Sequence, residues 1–260
     1  MEFKTVLYQK EGTLLRITLN RPEVYNAFDD TLSYELQDAL KAAAKDEEVR
    51  VIILTGSGKA FCSGQDLKAI AGIEKRSFID SINKRYNPII RAMRNMPKPI
   101  ICRLNGVAAG AGCSLALACD LIIASETAVL VEAFVNIGLV LDSGSSYFLP
   151  RLVGSTRAFE IATMAPKITG QQAFDWGIAN RVTSPENLDN VVNEIANYYA
   201  NAPTKAIGLM KKMLNKSTSS DMETILEYEA YCQEIAGNSE DNKEGVTAFI
   251  EKRKPEFKGK

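Results

Sequence analysis

The 260-residue sequence contains no histidine. This absence excludes Ser-His-Asp and Cys-His catalytic triads, histidine-ligated zinc and every acid–base mechanism that uses an imidazole. Proton transfer near neutral pH must therefore use a carboxylate, a cysteine, a lysine or a tyrosine.

An excess of charge and a long apolar run are also missing. The 31 basic residues nearly balance the 32 acidic ones, whereas a dedicated nucleic-acid-binding protein normally has a basic excess. The longest run free of charge and strong polarity, residues 106–119, is shorter than the roughly 20 residues that span a bilayer. The N-terminus carries no apolar signal core. The sequence therefore predicts no nucleic-acid partner, no membrane partner and a cytoplasmic location.

The cysteines are odd in number, and no two of them have Cys-x-x-Cys spacing. They are Cys62, Cys102, Cys113, Cys119 and Cys232. Most of them have apolar or small neighbours, which is typical of buried, reduced thiols. We expect neither disulfides nor a metal site.

Apolar strand patterns alternate with helical patterns through the first 154 residues. Residues 50–55, 99–104 and 120–124 read as buried strands, and a Glu11-Gly12 turn predicts a hairpin before them. Helices are predicted over residues 31–45, 77–95 and 107–118. The alternation predicts an α/β fold with mainly parallel strands.

The pattern becomes entirely helical after residue 154. The predicted helices cover residues 155–165, 170–176, 186–201, 203–215 and 219–237. Asp29 or Asp30, Thr169 and Thr204 are expected to cap helices. We divide the chain into a core, residues 1–195, and a helical C-terminal region, residues 196–260.

Two turns rich in small residues, at residues 63–66 and 110–112, follow apolar strands. Glycine allows close backbone approach, and the first N–H groups of a helix lack partners within it. Two such groups converging on one point would form an oxyanion hole. The alternative is tight packing of a buried helix on a sheet. Neither residues 53–60 nor residues 110–115 complete a nucleotide-binding motif.

Several ordered segments resemble one known family. Residues 20–28 (NRPEVYNAF), 60–67 (AFCSGQDL) and 98–112 (KPIICRLNGVAAGAG) are similar to signature segments of the enoyl-CoA hydratase/isomerase (crotonase) superfamily. Further similarity at residues 138–154, 173–177 and 244–257 follows in the same order. The resemblance extends over the whole chain.

The resemblance implies a crotonase-type β-β-α spiral core with an all-helical C-terminal trimerisation region. It also implies a homotrimer or homohexamer and an acyl-CoA thioester substrate, with coenzyme A as part of that substrate and no prosthetic group. The backbone N–H groups of Gln65 and Ala111 align with the oxyanion pair of the family.

The carboxylates depart from the hydratase pattern. The two hydratase glutamates fall at Ser114 and close to Phe134, and neither position has a carboxylate. Asp142 instead aligns with the single acid/base of isomerases in the family, and the pattern is similar to that of the oxepin-forming ring-epoxide isomerases of phenylacetate degradation. Asp142 could alternatively cap a helix that begins near Ser143. Glu132 is two residues out of register, and we interpret it as a surface or interface acid.

The resemblance also implies contacts with the acyl-CoA. The aligned coenzyme A positions are Val24, Tyr25, Ala27, Ala60, Cys62, Ser63, Asp66, Leu67 and, from a neighbouring subunit, Lys252. Asp66 is expected mainly to support its loop, and Lys252 could instead belong to a solvated basic tail. Phe134 and Phe249 are candidates for the acyl pocket, although Phe249 could equally make an apolar helix contact.

Three functions are compatible with these residues. The first is an acyl-CoA isomerase that moves a proton through a thioester enolate, with Asp142 as its single acid/base. The second is an enoyl-CoA hydratase of fatty-acid or aromatic-acid degradation, and the third is a non-catalytic acyl-CoA-binding subunit. Dehalogenation, known in a related branch, needs a histidine and is excluded. The sequence does not determine the acyl group.

Overall fold

A computed structural model describes residues 2–70 and 77–260. The strands are β1 (Val6–Glu11), β2 (Leu14–Leu19), β3 (Val51–Gly56), β4 (Ala60–Cys62), β5 (Ile100–Leu104), β6 (Val107–Ala109), β7 (Leu121–Ser125), β8 (Val129–Val131), β9 (Ile168–Thr169) and β10 (Arg181–Thr183). The helices are α1 (Asp30–Lys45), α2 (Leu67–Ile70), α3 (Phe78–Ser81), α4 (Asn87–Asn95), α5 (Ala111–Leu117), α6 (Ser145–Val153), α7 (Ser155–Met164), α8 (Gly170–Asp175), α9 (Leu188–Ala200), α10 (Thr204–Ser217), α11 (Met222–Gly237) and α12 (Glu240–Glu251).

The strands form two sheets. The larger sheet has the order β1-β2-β3-β5-β7-β10, and its pairs are parallel except for the β1–β2 hairpin. The smaller sheet has the order β4-β6-β8-β9. Along the chain, β3, β5 and β7 each enter the larger sheet, and the strand that follows each of them enters the smaller one. This alternation is the β-β-α spiral, so the predicted fold is confirmed.

The larger sheet is buried on both faces. Ile52 and Leu54 of β3 belong to the main core, which α1, α4 and α5 complete. Val51 and Ile53 point the other way and pack with residues of α9. Burial on both faces explains why the strands read as continuous apolar runs.

Glycine allows α5 to lie directly against β4. A β-carbon on Gly112 would stand 2.1 Å from the carbonyl oxygen of Cys62. The helix therefore contacts the backbone of the strand directly. This contact fixes the start of α5, at the turn of residues 110–112, against Cys62, which precedes the turn of residues 63–66.

Four predictions along the chain were wrong. The part after residue 154 is not entirely helical, because β9 joins the smaller sheet and β10 joins the larger one. The segment predicted as one helix over residues 77–95 is interrupted by a π-helical turn at Ile82–Tyr86. The helix predicted from residue 107 begins only at Ala111, because residues 107–109 pair with β4 and β8. Thr204 is the first residue of α10 and does not cap it, since Pro203 occupies the cap position.

Other local predictions were confirmed. Asp29 accepts a hydrogen bond from the N–H of Leu32 and caps α1, and Thr169 forms a capping box with Gln172. All five cysteines are unpaired and buried. The division after residue 195 stays a prediction, and residue 195 lies within α9.

Two kinds of feature are absent from residues 2–70 and 77–260. No helix there combines the length and the apolar character needed to cross a bilayer. No group of three or more cysteine, aspartate or glutamate side chains there could hold a metal ion.

The contact between α5 and β4 predicts a large effect of one methyl group. Gly112→Ala should lower the free energy of unfolding by about 3 kcal/mol or more, because the new carbon overlaps a backbone atom that cannot move aside. The matched control is Gly237→Ala at the end of α11, where a β-carbon meets nothing within 4 Å. Urea unfolding of both variants tests this, and equal midpoints would contradict the contact.

Candidate active site

A cavity of about 500 Å³ opens between the two glycine turns and the α3–α4 segment. Six residues singled out from the sequence line it, namely Ser63, Gln65, Leu67, Ala111, Phe134 and Asp142. Apolar side chains supply most of the remaining wall, among them Phe78, Ile82, Ile137 and Leu139. Within the described part of the chain, the cavity thus joins an apolar wall to the Asp142 carboxylate and two backbone turns.

The two glycine turns meet at this cavity. Gly64 and Gly110 have φ angles of 88° and 51°. A β-carbon on Gly64 would be 2.7 Å from the carbonyl oxygen of Ala109 and 3.5 Å from the nitrogen of Ala111. The turn that carries Gln65 therefore lies against the start of α5.

The backbone orientation of Gln65 follows from a parallel bridge with Phe28. The N–H of Phe28 donates to the carbonyl of Gly64 at 2.7 Å, and the N–H of Asp66 donates to the carbonyl of Phe28 at 2.9 Å. The N–H of Gln65 consequently points away from Phe28. Ala111 is the first residue of α5, so its N–H has no acceptor within the helix.

The side chain of Gln65 is held at both ends. Its Nε2 donates to the carbonyl of Phe28 at 2.8 Å, and its Oε1 accepts from the Tyr86 hydroxyl at 2.6 Å and from Arg85 at 2.8 Å. Arg85 is buried and also pairs with Asp30 at 2.9 Å. These contacts fix the turn that carries the Gln65 N–H.

Sequence reasoning missed Arg85 and Tyr86. Both lie in the π-helical turn, which places two consecutive residues toward Gln65. The predicted uninterrupted amphipathic helix gave no indication that Arg85 is buried beside Gln65. The sequence contains no signal for the π-helical turn.

Asp142 lies in the loop before α6 and lines the cavity. The Ser143 hydroxyl donates to its Oδ1 at 2.7 Å. Burial raises the pKa of Asp142, and the Ser143 hydrogen bond and the positive charge of Arg85 act in the opposite direction. Gly144 occupies the cap position of α6, and no described side chain caps that helix. The capping alternative for Asp142 was therefore wrong.

The two hydratase positions have different environments. Phe134 lines the cavity, whereas Ser114 is fully buried in α5, outside the lining. Glu132 is 0% exposed, so the expectation of a surface or interface acid was wrong. Its Oε1 accepts a hydrogen bond of 2.7 Å from the buried Ser145 hydroxyl, which draws the side chain inward. Burial raises the pKa of Glu132 to about 7.

The residues aligned with coenzyme A contacts lie partly beside the cavity. The N–H of Ser63 donates to the carbonyl of Tyr25 at 3.0 Å, and its hydroxyl donates to the carbonyl of Val24 at 3.2 Å. Ala27, Ala60 and Cys62 are buried and lie outside the lining.

Asp66 supports its own loop. Its Oδ1 accepts hydrogen bonds of 3.1 Å from the N–H groups of Lys68 and Ala69, and its Oδ2 pairs with Arg21 at 3.2 Å. The prediction that Asp66 supports the loop is confirmed.

Phe249 and Lys252 lie away from this cavity within one chain. Phe249 is 85% exposed and lines a separate cavity among α10, α11 and α12. Lys252 follows α12 directly and is exposed. Neither residue is brought to Asp142 by the fold of a single chain.

The chain is similar to known proteins over almost its full length. The family model for enoyl-CoA hydratase/isomerase matches residues 9–260. The 1,2-epoxyphenylacetyl-CoA isomerase of Escherichia coli (strain K12) is 39% identical, with 100% of both chains covered. The short-chain-enoyl-CoA hydratase of Clostridium acetobutylicum is 36% identical, with 98% of both covered.

A solved structure also matches this chain over almost its whole length. The enoyl-CoA hydratase from Bacillus anthracis superposes with a TM-score of 0.94 at 32% identity, covering 99% of this chain and 100% of that one. Fold, ordered motifs and full-length similarity agree. The chain belongs to the enoyl-CoA hydratase/isomerase (crotonase) family of enzymes.

Proposed function

We propose that this enzyme is an acyl-CoA isomerase in which Asp142 is the single acid/base. One observation carries the proposal: among the described residues that line the cavity, Asp142 alone has a carboxylate. Because the chain contains no histidine, this carboxylate is the proton carrier best suited to neutral pH.

The first step is polarisation of the thioester carbonyl. The N–H groups of Gln65 and Ala111 donate to its oxygen and stabilise the negative charge that develops there. The loss of one such donor costs roughly 3–4 kcal/mol in other enzymes. This stabilisation makes a carbon-bound proton near the carbonyl acidic enough to remove.

The second step is transfer of that proton. Asp142 removes it and leaves a dienolate whose charge rests on the oxygen bound by the two N–H groups. The protonated carboxyl then returns the proton to a more distant carbon, so the double bond moves and Asp142 is regenerated. Burial favours the neutral carboxyl and thereby strengthens Asp142 as a base.

Enoyl-CoA hydration is the second candidate, since the chain is 36% identical to a relative named short-chain-enoyl-CoA hydratase. Addition of water in the hydratase pattern uses two carboxylates on one water molecule. Ser114 is buried outside the lining, and Phe134 contributes a hydrocarbon ring. These two side chains favour isomerisation over hydration.

The remaining contacts follow the family alignment. We infer that Val24, Tyr25, Ser63, Asp66 and Leu67 surround the coenzyme A, and that Phe134 borders the acyl group. Ala27, Ala60 and Cys62 are at most 5% exposed, so we infer that they support these residues from behind and do not contact the coenzyme A. The relative named for 1,2-epoxyphenylacetyl-CoA makes an aromatic ring epoxide one candidate substrate, and a linear 3-enoyl-CoA is the other. Five unpaired cysteines fit a reducing cytoplasm.

The C-terminal helices support a homotrimer or homohexamer. Large apolar side chains are exposed on α10, α11 and α12, including Met210, Leu214, Met222, Leu226, Phe249 and Ile250. Exposed apolar patches of this kind mark interaction surfaces. We infer that this region joins subunits and that Phe249 and Lys252 reach the site of a neighbour.

The assembly is tested by light scattering. At micromolar concentration the mass should be three or six times the 28.5 kDa of one chain. Phe249→Asp should shift the mass toward the monomer, since burial of a charge at the interface is unfavourable. A wild-type monomer would contradict the proposed assembly.

The reaction class is tested with two substrates. A 3-enoyl-CoA should be converted to the 2-enoyl-CoA faster than crotonyl-CoA is hydrated, because one carboxylate suffices only for the first reaction. Product analysis by mass spectrometry, with phenylacetyl-CoA epoxide as a third substrate, measures this. A hydration turnover above about 100 s⁻¹, well within the usual enzyme range, would favour the hydratase.

The base is tested by Asp142→Asn. The substitution keeps shape and removes the base, so isomerisation should fall by roughly 10²–10⁴-fold while acyl-CoA binding and thermal stability persist. Solvent deuterium should enter the substrate with the wild type and not with the variant.

Asp38→Asn is the matched control, because Asp38 is an exposed aspartate on α1. It should behave as the wild type does. If Asp142→Asn keeps more than about a tenth of the wild-type turnover, Asp142 is not the base.

A further inference from the structure

A chain of buried side chains lies next to the turn that carries Asp142. Glu132, Ser114 and Ser145 are each 0% exposed. The Ser145 hydroxyl is 2.7 Å from Glu132 Oε1 and 2.8 Å from the Ser114 hydroxyl. The Ser114 hydroxyl is in turn 3.1 Å from the backbone carbonyl oxygen of Asp142. This hydrogen-bonded chain connects the end of β8, α5 and α6 to the loop of the base.

The turn itself needs such support. Ser143 and Gly144 have φ angles of 51° and 89°, so two consecutive residues are left-handed. A residue with a side chain is strained in this conformation and keeps it only when its surroundings hold it. The Asp142 carbonyl accepts one hydrogen bond from the N–H of Ser145 at 3.1 Å and a second from Ser114. The position of the Asp142 carboxylate therefore depends in part on where the Ser114 proton points.

The protonation state of Glu132 decides how these protons are distributed, because each hydroxyl has one proton to donate. A neutral Glu132 can donate to Ser145. Ser145 then donates to Ser114, and the Ser114 proton is available for the Asp142 carbonyl. In this state every hydroxyl proton of the chain has an acceptor.

An ionised Glu132 can only accept. The Ser145 proton then turns toward Glu132, and the Ser145 oxygen becomes an acceptor 2.8 Å from Ser114. The Gly110 carbonyl lies 3.3 Å from the Ser114 hydroxyl and competes for its proton in both states, at a longer distance than the 3.1 Å to the Asp142 carbonyl. With Ser145 as an added and nearer acceptor, less of the single Ser114 proton is left for the Asp142 carbonyl. Ionisation of Glu132 thus weakens one of the two hydrogen bonds that hold the turn.

The surroundings of Glu132 favour the neutral form. Its second oxygen, Oε2, is buried and has no hydrogen-bond partner among the described residues, which is costly for an ionised carboxylate. Burial raises the pKa of Glu132 to about 7, and the nearby negative charge of Asp142 acts in the same direction.

The hydrogen bond from Ser145 and the neighbouring Cys113 thiol lower the pKa of Glu132 and so oppose this rise. Cys113 and Asp142 are the titratable groups that act on Glu132. Burial and the charge of Glu132 raise the pKa of the Cys113 thiol well above its usual range, so this thiol stays neutral. Arg85 acts on Asp142, where its positive charge lowers the pKa.

We propose that Glu132 is a positioning residue whose neutral form holds, through two serine hydroxyls, the turn that carries Asp142. The inference rests on the proposed role of Asp142 as the base. Glu132 lies outside the cavity lining and does not touch the substrate. The chain of hydroxyls ends on a carbonyl oxygen, which has no proton to give. It transmits geometry and carries no proton to the reaction.

Two variants test the two ends of this series of hydrogen bonds separately. Glu132→Gln keeps a donor to Ser145 and cannot ionise. Ser114→Ala removes the last link and leaves the Glu132 carboxyl in place. Both are measured beside the wild type with the 3-enoyl-CoA, from below to above neutral pH.

The kinetic expectation is a change in the pH profile. The wild-type kcat should fall as the pH rises through about 7, where Glu132 ionises. Glu132→Gln should keep the wild-type rate at low pH and lose this fall. Ser114→Ala should be slower by about tenfold at low pH and should also lack the fall, because misplacement of a catalytic group lowers kcat. KM should change little in either variant.

Hydrogen exchange provides a readout that needs no activity. The N–H of Ser145 donates to the Asp142 carbonyl, so mass spectrometry of the peptide over residues 142–147 reports on the turn. After correction for the intrinsic effect of pH, the wild type should lose protection above neutral pH. Glu132→Gln should keep its protection, and Ser114→Ala should lack it throughout.

Thermal stability gives a third readout with a defined sign. The pKa of Glu132 is raised from 4.5 to about 7 by folding, so the folded state binds more protons than the unfolded state between these values. The contribution of Glu132 therefore makes the wild-type Tm fall as the pH rises through this window. Glu132→Gln should remove that contribution. The Tm of the variant minus the Tm of the wild type should therefore increase by a few degrees from low pH to high pH.

The outcomes distinguish the two proposals. If the wild type isomerises no substrate, the proposed function fails, and the exchange and Tm comparisons still decide the role of Glu132. If neither substitution nor pH changes the hydrogen-exchange protection of residues 142–147, the positioning role is overturned. This holds even when Asp142→Asn abolishes isomerisation.

Discussion

Direct contact between backbones is the constraint on which the site depends. Gly112 brings α5 against the carbonyl of Cys62, and Gly64 brings the neighbouring turn against Ala109. No side chain fits at either contact. Because the residues after Gly64 and Gly110 carry the two proposed donors, the distance between those donors is set by the packing of α5 on the smaller sheet. The geometry of the proposed oxyanion site is therefore a property of the fold.

Burial has a second role, since it adjusts two carboxyl groups in a protein without histidine. Asp142 borders the cavity, where Ser143 and the charge of Arg85 moderate the effect of burial on its pKa. Glu132 lies deeper, next to hydroxyl and thiol groups, and its pKa is raised to about 7. Two groups of the same chemistry are thus suited to different tasks by their surroundings alone.

The sequence predicted the features that arise from local chemistry. The alternating apolar patterns predicted an α/β fold with mainly parallel strands, and the family resemblance implied its spiral form. The glycine turns indicated either two converging N–H groups or tight packing of a helix on a sheet. Asp142 was identified from its position in a family pattern, and the structure puts it in the cavity lining.

The sequence could not predict features that depend on distant partners. Glu132 is acidic and flanked by apolar residues, and its burial depends on Ser145, which comes thirteen residues later in the chain. Arg85 and Tyr86 contact Gln65 from about twenty residues away in sequence. The short strand β6 exists because β4 and β8 pair with it, although its small residues also suit a helix.

The π-helical turn at Ile82–Tyr86 determines what a one-residue deletion in this segment would do to the site. Such a turn is equivalent to one extra residue inserted in an α-helix, and it is seldom kept for stability alone. Deletion of one residue would restore regular helical hydrogen bonding and would rotate the preceding segment by about 100° relative to α4. Arg85 and Tyr86 could then no longer both face Gln65 while Ile89 and Met93 remain in the core. The additional residue of this turn therefore serves the contacts of Arg85 and Tyr86 with Gln65 and not the regularity of the helix.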